Sequence, residues 1–166
     1  LGQVKEIKKI CDENYKELVI YISMAFGNPY KDEYNENIVL EWVEKIVGVG
    51  VQIISLADTV GIAQPSQIAS VTKKVNNAFP GIETGVHLHS TNKNWKEKIN
   101  AALEQGCRRF DGAIKGIGGC PMANDELVGN MDSELMIPYF EELGYCKEID
   151  ITALGKCSKM AAEIFI

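Results

Sequence analysis

The sequence predicts an α/β protein built on a parallel sheet. Short β-branched apolar runs alternate with amphipathic segments along the chain. The alternation recurs at roughly 25–35 residues, the length of a βα unit. The side chains best suited to chemistry fall where the expected strands end. Parallel α/β architectures collect their sites at those C-terminal strand ends.

Each element has a local reason. Residues 5–14 read as a helix packed ahead of the first strand. Residues 18–23 are short, β-branched and end in polar and turn residues, which makes them the first strand. Ile38, Val39, Trp42, Val43, Ile46 and Val47 then follow helical spacing, and Gly48 or Gly50 closes that helix. Residues 51–56 form a second strand that runs out at Asp58 and Thr59. Pro65 opens a helix with Ile68, Val71 and Val75 as its stripe, and Pro80-Gly81 breaks it. Residues 82–89 are a third strand. Trp95, Ile99, Ala102 and Leu103 mark a third helix, stopped by Gly106. A fourth strand over 107–114, a helix over 134–143 and a final helix over 152–166 complete the chain.

No low-complexity linker interrupts this pattern, so one domain spanning 1–166 is expected. A chain of 166 residues is long enough to bury a core. With a net charge of −6, nucleic acid is an unsuitable partner. The densest basic stretches, 5–9 and 93–98, are interrupted by Glu6 and Glu97 and read as solvated helix faces. Five cysteines, an odd number without a CxxC, point to a reducing compartment rather than a disulfide framework. The apolar runs are too short to span a membrane. The polar, partly acidic start resembles neither a signal nor a transit peptide. A soluble cytoplasmic protein without a membrane partner is expected.

His87 and His89 are the two histidines of the chain, and they stand two apart at a strand end. Side chains at i and i+2 of a strand share a face, so both rings can reach one point. Such nitrogen donors suit Mn, Fe, Co or Zn, and Mg where oxygen donors dominate. The alternative is a pair of hydrogen-bonded histidines closing a strand. Gly116-Ile117-Gly118-Gly119-Cys120-Pro121 is a glycine loop carrying a thiol. Gly116, Gly118 and Gly119 let the backbone approach a ligand and the loop move. Cys120 can exchange a proton if a cation tunes its pKa, or it can be a small apolar filler. The loop lacks the GK[ST] ending of a P-loop, and no GxGxxG follows the first strand. Asp58 can act on a substrate hydroxyl, hold a histidine, or simply shape the turn before Gly61. Asn130 offers an amide oxygen to a metal or makes a turn. Asp111, inside the fourth strand, needs a partner, with Arg108, Arg109 and Lys115 nearby, and reads as a structural residue or a support behind the site. The remaining cysteines read as structural.

Taken together, these motifs resemble the hydroxymethylglutaryl-CoA lyases. That family belongs to a metallolyase superfamily of TIM barrels that also contains isopropylmalate and homocitrate synthases. The anchors are Ser23-Met24-Ala25-Phe26-Gly27-Asn28-Pro29-Tyr30, Ser55-Leu56-Ala57-Asp58-Thr59-Val60-Gly61, Val86-His87-Leu88-His89, the 116–121 loop, and Gly129-Asn130. The cysteine-bearing loop is the lyases' own feature, and the synthases have a different glycine loop there. The resemblance implies that His87, His89 and Asn130 are metal ligands and that His87 is also catalytic. It implies proton transfer by Cys120, a catalytic acid at Asp58 near the substrate hydroxyl, and an acidic position near the site at Glu134. It implies cleavage of 3-hydroxy-3-methylglutaryl-CoA to acetyl-CoA and acetoacetate with a divalent metal, Mg or Mn first and Zn or Co as alternatives.

Some features depart from the family. Met24 and Asn28 stand where many lyases have cysteines, and the interval from Cys120 to Asn130 is longer by a residue. A (β/α)8 barrel needs eight strands, and about four are visible here. The Arg-Asp pair and the Glu that the family carries on its first strands are absent. The expected fold is thus the C-terminal half of a TIM barrel, about strands five to eight. Such a half is expected to be inactive alone and to pair with the missing N-terminal half or with a second copy as a dimer. A related aldolase or condensing synthase, or a non-catalytic half-barrel, is the competing expectation.

Overall fold

The computed structural model describes residues 1–119 and 128–165. Cys120 and Pro121 lie outside the described residues. The elements in order are α1 (Gly2–Glu13), β1 (Val19–Ile22), α2 (Glu36–Val47), β2 (Ile53–Ala57), α3 (Pro65–Ala78), β3 (Glu83–His87), β4 (His89–Ser90), α4 (Trp95–Leu103), β5 (Arg109–Asp111), a 3₁₀ turn (Ile114–Gly116), β6 (Gly129–Asn130), α5 (Ser133–Glu142) and α6 (Ile151–Ile164). None of the described helices is long and apolar enough to cross a membrane.

β1, β2, β3 and β5 form one sheet in that order, and every pairing is parallel. The register aligns Tyr21 with Ser55 and Gly85, and Ala57 with His87 and Asp111. Alternation along each strand then separates two faces. Ile20, Ile54, Leu56, Val86 and Phe110 fall on the face covered by helices. Tyr21, Ser55, His87 and Asp111 fall on the other. The helices bury Val39, Val43 and Ile46 of α2, Ile68, Val71 and Val75 of α3, and Ile99 and Ala102 of α4 against the apolar face. All five residues of β2 are buried, as a central parallel strand requires.

The helix boundaries have visible chemistry. Asn35 caps α2 by accepting from the amides of Asn37 and Ile38, and Asp150 caps α6 by accepting from Thr152 and Ala153. Pro65 takes the first turn of α3, where its missing N–H costs nothing. Gly50 and Gly106 follow their helices at φ +90 and +89.

Two expected strands are shorter than the sequence suggests. The third stops at His87, and His89–Ser90 turns off as β4 to pair antiparallel with β6. The fourth keeps only Arg109–Asp111. At Gly112 the backbone runs so close to α5 that a Cβ would sit 2.8 Å from Met136 Cε, and the chain leaves the sheet there. Asp111 also takes other partners than the basic residues beside it. Arg109 pairs with Glu83, and Arg108 bonds the carbonyls of Leu103 and Cys107.

An ion pair ties the layers together. Lys98 of α4 reaches Asp58 at 2.8 Å, and the two side chains are 2% and 1% exposed. Removing one partner of such a pair strands the other charge in the core. We expect Lys98→Met to cost about 3–5 kcal/mol in chemical denaturation, against ~0.5 kcal/mol or less for a change at exposed Lys73. Burial pushes the Cys107 thiol up to about 11. At pH 8, thiol labelling should therefore modify exposed Cys157 in the native chain and reach Cys107 only on unfolding.

Candidate active site

The polar face of the sheet ends in a cleft of about 550 Å³. Tyr21, Ser23, Ala57, Thr59, His87, His89, Gly118, Gly119 and Asn130 line it. Its floor is the C-terminal ends of β1, β2 and β3, and its far wall is the 116–119 loop with β6. Thr59 closes the floor by accepting the Met24 amide at 2.8 Å.

The two histidines arrive from different elements. His87 ends β3 in the main sheet, and His89 opens β4. Their ring centroids are nevertheless 5.3 Å apart. His89 Nδ1 lies 3.0 Å from the carbonyl of Val128. A carbonyl only accepts, so Nδ1 carries the proton and the Nε2 lone pair is left free. His87 Nδ1 faces Asp111 Oδ2 at 3.6 Å, which favours the same tautomer. Asn130 Nδ2 donates to the Ile117 carbonyl at 2.9 Å, and among the described residues its Oδ1 accepts nothing. β4 and β6 set His89 directly opposite Asn130.

These residues suit a divalent cation. Each ring presents a nitrogen whose opposite nitrogen is held by a carbonyl or carboxylate, the arrangement that orients imidazole ligands. The amide adds an oxygen. Among the described residues no three His, Cys, Asp or Glu side chains form such a group, and the Asn130 amide offers an oxygen beside the two rings. Two nitrogens and one oxygen leave coordination positions for substrate or for further ligands.

The glycines of the loop serve Asn130. A Cβ on Gly118 would meet Asn130 Nδ2 at 2.9 Å, and one on Gly116 would meet the Asn130 carbonyl at the same distance. Both also hold positive φ, +93 and +60. Gly119 bridges to Gly129. Glu134 stands behind the loop and does not line the cleft: its Oε2 accepts the Lys115 amide at 2.8 Å, pinning the turn where Lys115 has φ 58.

Of the roles the sequence leaves open for Asp58, the structure shows the one that shapes the turn before Gly61. Ala57 shares a face with His87, so the next residue points the opposite way, into the helix layer. There Asp58 accepts from Lys98 and from the Ala63 amide at 3.0 Å, and it does not line the cleft. The carboxylate that does face His87 is Asp111. Contact with His87 holds its carboxyl below the usual range; burial opposes this, and the Tyr21 hydroxyl, donating at 2.9 Å, assists. Burial and that same carboxylate push the Tyr21 phenol up. Asp111 thus supports the site from behind His87, and Tyr21 is the residue that sequence reasoning misses. The signal for Tyr21 is a polar group at the inward parity of an otherwise apolar strand, readable only with the register in hand.

Comparisons with known proteins bear on the family and the fold. A family model described as HMGL-like matches residues 3–161. The (R)-citramalyl-CoA lyase of Chloroflexus aurantiacus is 37% identical over 135 residues, 81% of this chain and 42% of that enzyme. The HMG-CoA lyase structure from Bacillus subtilis superposes with a TM-score of 0.87 at 27% identity, over 96% of this chain and 53% of its own. An HMG-CoA lyase from Acinetobacter baumannii, in complex with coenzyme A and 3-methylmalate, superposes with a TM-score of 0.81 at 31% identity, over 95% of this chain and 52% of its own. The chain thus spans about half the length of these relatives. Sequence match and fold together make it a member of the HMGL-like family, equivalent to about half of the (β/α)8 barrel of its lyase relatives.

Proposed function

We propose that the chain carries the metal-binding wall of a divalent-metal-dependent carbon–carbon lyase acting on a 3-hydroxyacyl-CoA thioester of the 3-hydroxy-3-methylglutaryl-CoA kind. The observation that carries this reading is that His87, His89 and Asn130 line one cleft, with the two rings 5.3 Å apart and Asn130 directly opposite His89.

His87 and His89 would hold the metal through Nε2 and Asn130 through Oδ1. When bound, a divalent ion supplies charge stabilisation for the substrate's 3-oxygen as the C2–C3 bond breaks. Asp111 keeps the His87 ring in its tautomer and orientation. Tyr21, bonded to Asp111, lends the cleft a phenol that stays protonated at neutral pH. The 3-hydroxyl gives its proton to a base as the C2–C3 bond breaks, and the fragment that leaves, a thioester enolate, needs a proton on carbon. Cys120, two residues beyond cleft-lining Gly118, is the proposed donor on the strength of the sequence motif. The glycine loop next to it is suited to exclude water from that intermediate. For the parent substrate the products are acetyl-CoA and acetoacetate. The similarity to a citramalyl-CoA lyase favours a second reading, the same bond cleavage on a different acyl group, and a thioester screen of the whole enzyme separates the two.

Turnover is expected to need more than these residues. The described sheet has four parallel strands with β1 and β5 as open edges, and the partner we propose for those edges is the other half of a barrel. Isothermal titration with Mn²⁺ tests the metal wall. His87→Ala and His89→Ala should each weaken binding by more than about tenfold, and Asp111→Asn by about tenfold. Undiminished binding in both histidine variants sinks the reading. Metal-dependent thioester cleavage by the chain alone as a monomer would refute the need for a second half.

A further inference from the structure

Lys98 has no part in the chemistry above, yet its ammonium is the most fully engaged cation among the described residues. It donates to Asp58 Oδ2 at 2.8 Å, to the His89 carbonyl at 2.7 Å and to the Gly61 carbonyl at 3.3 Å. Charge balance alone needs only the carboxylate. The two carbonyls belong to different strand ends: Gly61 closes the turn after β2, and His89 opens β4. The grip closes on its far side as well. A Cβ on Gly61 would lie 3.0 Å from the Val128 side chain, and the Val128 carbonyl accepts from the His89 ring. His89 is therefore held twice, at its backbone by Lys98 and at its ring by Val128, and both holds refer back to the same turn. His87 is held separately, by the β2–β3 ladder that continues into the Asp58 amide.

We propose that Lys98 is a positioning residue for the metal site, whose ammonium fixes the His89 backbone against the turn after β2. It thereby sets the aim of the His89 ring and, through β4–β6 pairing, of Asn130. The inference rests on the reading of His89 and Asn130 as ligands. It assigns Lys98 an effect on one of the two histidines and not on the other.

The test uses Lys98→Met combined with Asp58→Asn, which removes the cation and its counter-charge together. Lys98→Gln with Asp58→Asn is the second variant: its amide is one atom short of spanning both strand ends. Because the chain has only two histidines, imidazole ¹⁵N spectra of the metal-free protein report each ring separately. In a variant with native near-UV circular dichroism, the His89 signals should lose the single Nδ1–H tautomer while those of His87 stay in place. Mn²⁺ should bind about tenfold or more weakly. Unchanged His89 signals and unchanged affinity overturn the proposal. Equal disturbance of both histidines in both variants also overturns it, because that marks a general role in folding. Mn²⁺ binding that survives His87→Ala rejects the metal reading itself, whereas binding that needs His87 but ignores both Lys98 variants rejects only the clamp.

Discussion

Parallel pairing in a single register is the constraint on which the rest depends. It places Ala57, His87 and Asp111 in one row and Tyr21 and Ser55 in the row beneath. A slip of one residue in any strand would turn that strand's polar groups into the helix layer and its apolar ones into the cleft. Leu56, Val86 and Phe110 guard against this, since each would exchange a packed environment for water. The apolar face thus enforces the positions of the polar one. The geometry of the site is inherited from the core.

Much of this was legible in the sequence. The βα alternation, the helix start at Pro65 and the stops near Gly50 and Gly106 all announce themselves locally, because capping and turn chemistry act over a few residues. The pairing of His87 with His89 was legible too, though for an incomplete reason. The two do not share a strand face. They meet because the chain turns after β3 and pairs with residues some 40 positions further on. Such a turn is a tertiary decision that local propensity does not encode.

The placing of Asp58 and Asp111 follows from the same physical constraint. At a strand end the choice of face depends on parity, and parity is fixed only by register with the neighbours. Asp58, one residue past Ala57, is turned inward and neutralised by a lysine 40 residues away. Asp111, which looked like a strand charge in need of a basic neighbour, finds His87 and Tyr21 instead. The glycine loop shows a related economy. Its glycines look like a ligand cradle in sequence, and two of them act first as clearance for Asn130.

The contact between Gly61 and Val128 has a consequence for how this family can vary. One belongs to the turn after the second strand and the other to the return leading into β6, yet there is no room between them for a methyl group. The two segments are packed as one unit. At φ +76 position 61 favours glycine in any case, and its lack of a side chain is what lets Val128 pack against the turn. A chimera that grafts one loop from another lyase would have to bring the second with it.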